Sequence, residues 1–271
     1  MEKLQAALAK ARGQRGERQV ATATAPIKNS MNQTGAATQL DKIWAELTPF
    51  DVPESVLEKH RVVTRKAGPA AAPFDILRTK LLVQMRKHGW KRLAITSPMP
   101  QSGKTTTACN LALGLGRQKG IRSILMDLDL RDPSVNDYFN TTPERSVGEV
   151  ISGIIDFKDQ ALRIDDNVAV SMAKRAEQDP SKLLLADETA EVLNAIEAKY
   201  QPDLMIFDLP SVLVNDDTRA FLKNVDCALI VIRANQTRYS QFDAGEREIA
   251  EQTNVLGTVL NAYLDSSLNA S

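Results

Sequence analysis

The chain has 271 residues, enough for one large domain or two modest ones. Its 34 basic and 34 acidic residues cancel, so it carries no global positive field, and nucleic acid is not expected as a partner. Two histidines and two cysteines without Cys/His cluster spacing argue against a structural zinc site, and no apolar run approaches the ~20 residues that span a bilayer.

Residues 1–18 read as a short basic helix. Met1, Leu4, Leu8 and Ala11 share a face, and Lys3, Lys10, Arg12, Arg15 and Arg18 outnumber Glu2 and Glu17. Such a helix is solvated, or it docks on a partner helix or on anionic lipid. It lacks the apolar stretch of a signal peptide, so the expected location is cytoplasmic, peripheral to the inner face of the cell membrane. Residues 19–39 are aperiodic and rich in Ala, Thr, Asn, Ser and Gly, a composition expected of a disordered linker. In residues 40–66 apolar side chains return. This segment packs on the main domain, or it anchors a partner through Trp44 and Phe50.

Residues 67–271 alternate strand and helix patterns. Strands are predicted at 92–96, 123–127, 168–172, 204–208, 227–232 and 256–260, mostly as continuous apolar runs. Helices are predicted at 74–87, 104–118, 147–152, 181–199, 218–222 and 241–252. Together they describe an α/β domain with a mostly parallel sheet covered by helices on both faces.

Three strands end in residues suited to phosphate and metal. After Leu93–Thr96 comes a loop, Pro100, Gln101, Ser102 and Gly103, followed by Lys104, Thr105 and Thr106 opening a helix. Gly-Lys-Thr between a strand and a helix is the end of a Walker A loop, whose amides and helix N-terminus cradle phosphate oxygens. Lys104 is assigned to the β- and γ-phosphates and Thr105 to Mg2+. Pro98 stands where the motif has its first glycine, which removes one N–H donor. The second strand ends in Asp127, with Asp129 and Arg131 following at spacings of two. If the strand continues, all three point to one side. Asp127 then serves the metal or orients and deprotonates an attacking hydroxyl, Asp129 supports it, and Arg131 stabilises a transferred phosphoryl group. Asp208 ends the third strand and is expected to hold Mg2+, often through water. Asn261, at the end of the last strand, either reads an adenine edge or caps the strand. The cofactors implied are ATP and Mg2+.

These residues resemble the bacterial tyrosine kinases of capsule and exopolysaccharide assembly, P-loop proteins related to the MinD/ParA ATPases. The likeness runs from about residue 73 to residue 264. It is carried by Thr96–Pro100 before Gly103-Lys104-Thr105, by Asp127-Leu128-Asp129-Leu130-Arg131-Asp132-Pro133 as a Walker A′ segment, and by Asp208-Leu209-Pro210-Ser211 as Walker B. Pro180–Leu184 and Val255–Asn261 also match family segments. The resemblance implies a fold of the P-loop type and Mg-ATP-dependent phosphoryl transfer, as ATP hydrolysis or to tyrosine. It also implies a transmembrane polysaccharide co-polymerase as partner and a homo-oligomer. In three respects the chain departs from the family. Gln101 replaces a usual glycine. Of the ring-forming Glu-x-x-Arg-x-x-Arg, aligned at Ala72, Asp75 and Arg78, only the last residue is kept. The C-terminal tyrosine cluster is missing, with Tyr263 alone near the end. Two other readings compete: a MinD/ParA-like positioning ATPase, disfavoured by the lack of an early loop lysine, and a non-catalytic nucleotide-bound scaffold.

Overall fold

Strands rich in β-branched and aliphatic residues, with no polar face, need cover on both sides, and the fold supplies it. The computed structural model describes residues 38–263. The helix reading of residues 1–18 and nearly all of the linker reading fall outside them. Eight strands, β1 (Thr48–Pro49), β2 (Arg92–Thr96), β3 (Ser123–Asp127), β4 (Leu162–Ile164), β5 (Val168–Ser171), β6 (Leu204–Asp208), β7 (Cys227–Arg233) and β8 (Asn254–Asn261), form one sheet. Their order is β1-β4-β5-β3-β6-β2-β7-β8. The pairs are parallel except β4 with β5.

Alternate residues of each central strand enter two separate cores. Met126, Met205 and Phe207 face one side, with Trp44, Tyr200 and Phe221. Leu125, Leu204 and Ile206 face the other, with Leu57, Met85 and Phe139. The helices that cover these faces include α1 (Gln39–Ala45), α2 (Glu54–Lys59), α3 (Ala72–His88), α4 (Lys104–Gly116) and α5 (Val135–Phe139). They continue with α6 (Val147–Ile151), α7 (Pro180–Leu185), α8 (Asp187–Tyr200), α9 (Asp217–Leu222) and α10 (Tyr239–Ala250).

Residues 38–66 are built into this fold. Thr38 and Asp41 close a capping box on α1, so the last two linker residues are already the cap and first turn of a helix. Trp44 is 1 % exposed, and its indole N–H donates to Tyr200 O at 2.8 Å. That leaves Trp44 no surface for a partner. Phe50 packs on the second core. Buried Asn110 of α4 holds the next stretch: its Oδ1 accepts from Val63 N at 2.9 Å and its Nδ2 donates to Arg61 O at 2.9 Å.

Two further differences from the sequence reading have local causes. The single helix expected over 181–199 is two, because Ala186 is extended (φ −60°, ψ 145°) and Thr189 Oγ1 donates to Leu183 O at 2.7 Å. β4 is a three-residue strand that turns back on β5 through Asp165 at φ 50°, too short to show a period.

Removing the Trp44 side chain leaves a cavity and orphans the Tyr200 carbonyl. Trp44→Ala is expected to lower unfolding free energy by about 3–5 kcal/mol in urea titrations of the full chain, against a near-neutral change for exposed Ile76→Ala.

Candidate functional site

Because β2, β3, β6, β7 and β8 run parallel, their carboxyl ends meet at one edge of the sheet, where ligands of open α/β sheets bind. The cavity there has a volume of about 1010 Å3. Pro100, Gln101, Gly103, Lys104, Thr105, Thr106, Asp129, Arg131 and Asn261 line it. Ser102 is buried in the loop, and Asp127 and Asp208 are buried with no exposure.

The loop after β2 enters α4 through Gly103 at φ +90°. A Cβ there would stand 2.0 Å from Asn261 Nδ2, so both conformation and close approach demand glycine. The first helical bond of α4 runs from Thr107 N to Gly103 O at 3.0 Å. The amides of Lys104, Thr105 and Thr106 precede it and are available to an anion at the positive end of the helix.

Asp127 and Asp208 sit side by side, paired in register between β3 and β6. Asp208 Oδ2 accepts from Thr105 Oγ1 at 2.6 Å, and Asp127 Oδ2 accepts from Val135 N at 3.1 Å. The Oδ1 atom of each has no partner among the described residues. Burial raises the Asp208 carboxyl to about 7, opposed by Lys104 and the Thr105 hydroxyl. Burial, and then the charge of Asp208, push Asp127 well above the usual carboxylate range. Two buried carboxyls with free oxygens beside a threonine hydroxyl suit a hard divalent cation. No cluster of three or more His, Cys, Asp or Glu side chains among the described residues could hold a metal by itself. The donor set therefore fits Mg2+, which keeps waters and shares phosphate oxygens, better than an all-protein cage.

Lys104 Nζ lies 4.0 Å from Asp129 Oδ2 and donates to Ser211 Oγ at 3.5 Å. Burial raises the Asp129 carboxyl, with Lys104 opposing. β3 stops at Asp127, so the expected continuous strand to Arg131 is absent. The segment keeps its alternation nonetheless: Leu128 and Leu130 are buried, while Asp129 and Arg131 reach the cavity.

Two residues are held by contacts within the chain. Arg131 is held by Asp217, with Nε to Oδ2 at 2.6 Å and Nη2 to Oδ1 at 2.9 Å, and it donates to Ser181 Oγ at 3.3 Å. A bidentate pair to a fully buried carboxylate competes with any phosphoryl contact. Asn261 donates through Nδ2 to Ser102 O at 2.9 Å and accepts at Oδ1 from Ala262 N at 2.8 Å. Its amide braces the loop and caps the end of β8. In the aligned ring segment, Arg78 is buried, pairs with Asp75 at 2.9 Å and donates to Gly114 O at 2.7 Å. Asp75 also receives both of its oxygens' bonds from Arg117.

Sequence reasoning gave no role to Ser134, whose Oγ is 3.2 Å from Thr105 Oγ1, or to Ser211, Asp217 and Arg233. Ser211 had a signal, its place after Asp208-x-Pro. The others reach the site only through tertiary contact.

The paired acids give a pH prediction for the ligand-free protein. Asp208 titrates at 3.8 when exposed and at about 7 when folded, so the folded state holds its proton longer. The contribution of this group to stability is then full below about pH 4 and is lost as pH rises through about 7. Urea titrations without divalent ions are expected to show this decline, and Asp208→Asn should flatten it.

No protein-family model matches the chain. Individual proteins do. The tyrosine-protein kinase YwqD of Bacillus subtilis is 29 % identical over 194 residues, covering 69 % of this chain and 79 % of that protein. The succinoglycan biosynthesis transport protein ExoP of Rhizobium meliloti is 25 % identical over 175 residues, covering 62 % of this chain and 22 % of its own. Among solved structures, the VpsO kinase domain superposes with a TM-score of 0.62 at 25 % identity, covering 72 % of this chain and 95 % of that one. The cell-division ATPase MinD of Pyrococcus furiosus superposes with a TM-score of 0.52 at 25 % identity, over 64 % and 72 %. By sequence and fold together, the chain is similar to the bacterial tyrosine kinases and shares the fold of the P-loop ATPases, MinD among them.

Proposed function

We propose that this protein binds Mg-ATP and transfers its terminal phosphoryl group, to water or to tyrosine, in the control of exopolysaccharide or capsule chain assembly or export. The observation that carries the reading is the buried Asp127–Asp208 pair beside Thr105. Such a pair is costly unless a cation joins it. The names of YwqD and ExoP support the tyrosine-kinase and polysaccharide assignments. Bound Mg-ATP would supply the reactive phosphoryl group and the charge that neutralises the acids.

In this reading the chain's own residues divide the work. The loop from Pro100 to Thr106 holds phosphate oxygens through its amides, and Lys104 adds a point charge. Thr105, Asp127 and Asp208 would hold Mg2+. Asp127 also accepts the proton of the attacking hydroxyl. Asp129 keeps Lys104 extended into the cavity. Arg131 is a phosphoryl contact only after release from Asp217. No helix among the described residues is long and apolar enough to cross a membrane, so attachment is assigned to a transmembrane co-polymerase or to the basic 1–18 segment. The MinD-like alternative shares the sheet, but this chain lacks the early loop lysine of positioning ATPases.

Lys104→Met is expected to weaken Mg-ATP binding at least about tenfold in calorimetry without unfolding the protein. Unchanged affinity in the folded variant contradicts the loop assignment. Asp127→Asn is expected to retain nucleotide binding and to lower turnover by about 10²-fold. Normal turnover removes Asp127 as the base.

Of the four tyrosines, Tyr239 (81 % exposed) and Tyr263 (63 %) are accessible, whereas Tyr200 is buried. Incubation with labelled ATP is expected to give weak phosphorylation confined to these two. Strong labelling at Tyr200 is inconsistent with the fold.

A further inference from the structure

Three backbone carbonyls of the phosphate loop are each taken up by a side chain. Met99 O accepts from the hydroxyls of Ser97 at 2.7 Å and Ser102 at 2.8 Å. Gln101 O accepts from Arg233 Nη1 at 3.0 Å, and Ser102 O accepts from Asn261 Nδ2 at 2.9 Å. With these carbonyls committed, the N–H groups of the loop are the ones left for an anion. Arg233 and Asn261 are also register partners at the ends of neighbouring β7 and β8, and Ala234 N donates to Asn261 O at 2.9 Å. The two side chains thus come from one hydrogen-bonded platform.

The loop needs such a platform at Gln101. Its φ is +60°, in the left-handed region. There a Cβ meets the neighbouring carbonyl, and a single residue without other support prefers to leave. Arg233 donates to the carbonyl of this same residue. Asn261 holds the next one and leaves no room for a Cβ at Gly103. A loop fixed before the ligand arrives does not spend binding energy on ordering itself.

We propose that Arg233 and Asn261 are positioning residues that lock the phosphate loop with Gln101 left-handed. Arg233 acts through Gln101 and not on the nucleotide; this assignment rests on the nucleotide-site reading above. It predicts coupling. Glycine at position 101 adopts a positive φ without penalty, so the arginine loses its task when Gln101 is replaced.

The test is Mg-ADP titration by calorimetry on the full chain, with Arg233→Ala, Gln101→Gly and the double variant. Arg233→Ala is expected to weaken binding about tenfold in the parent background and about twofold or less in the Gln101→Gly background. Equal losses in both backgrounds overturn the proposal, because they mean that Arg233 contacts the nucleotide itself. A second measurement needs no nucleotide. Crystal structures of ligand-free parent and Arg233→Ala should show Gln101 at positive φ in the first and returned to negative φ in the second. Positive φ in both overturns the proposal. If the parent binds no Mg-ADP, the nucleotide reading fails, and the crystallographic comparison still decides whether Arg233 sets the loop.

Discussion

Two carboxyl groups on adjacent strands, both without solvent, cannot both ionise unless something positive stands between or beside them. Asp127 and Asp208 are in that position, paired in register at the ends of β3 and β6. The field of the folded chain answers them only in part. Lys104 and the Thr105 hydroxyl lower the Asp208 pKa, yet burial still holds it at about 7, and burial and the charge of Asp208 push Asp127 well above the usual carboxylate range. One oxygen of each acid lacks a partner among the described residues. The neighbourhood is therefore an unbalanced electrostatic site, and a divalent cation carried in with phosphate is the simplest species that balances it.

The rest of the molecule keeps that imbalance in place. The two cores clamp the central strands on both faces, so neither acid can turn away to water. The glycine at 103 and the start of α4 bring a helix N-terminus to the same edge of the sheet. Arg131 is tied to Asp217, and Ser181 donates to Asp216 at 2.8 Å and to Asp217 at 2.7 Å. This joins the segment after β3 to α7 and α9. The Pro180–Leu184 segment, whose purpose the sequence left open, thereby gains a structural role in orienting the Arg131 side chain.

Much of this was legible in the sequence, and the reason is local. The runs ending in Asp127 and Asp208 are apolar without interruption, as strands covered on both faces must be, and their last residues stand out by polarity alone. Gly103-Lys104-Thr105 is likewise readable because strand, loop and helix adjoin in the chain. What escaped depends on distance along the chain. Asp217 lies 86 residues from Arg131, and Arg233 lies 132 residues from Gln101. The break at Ala186 carries no Gly or Pro signal, because Thr189 and the packing of α6 against α8 set it. β4 is too short for a period. Trp44 was ambiguous between core and partner because an amphipathic segment looks the same whether its own domain or another covers it.

The central claim is that Asp127 and Asp208 share a divalent cation with a bound nucleotide. Mn2+ can stand in for Mg2+, and loss of its free-ion signal in electron paramagnetic resonance counts the ions bound. With a non-hydrolysable ATP analogue present, the account predicts uptake of one Mn2+ per chain, little uptake without the analogue, and loss of that uptake in Asp208→Asn. Uptake that is equal in the parent and Asp208→Asn, or that does not depend on the analogue, would contradict it.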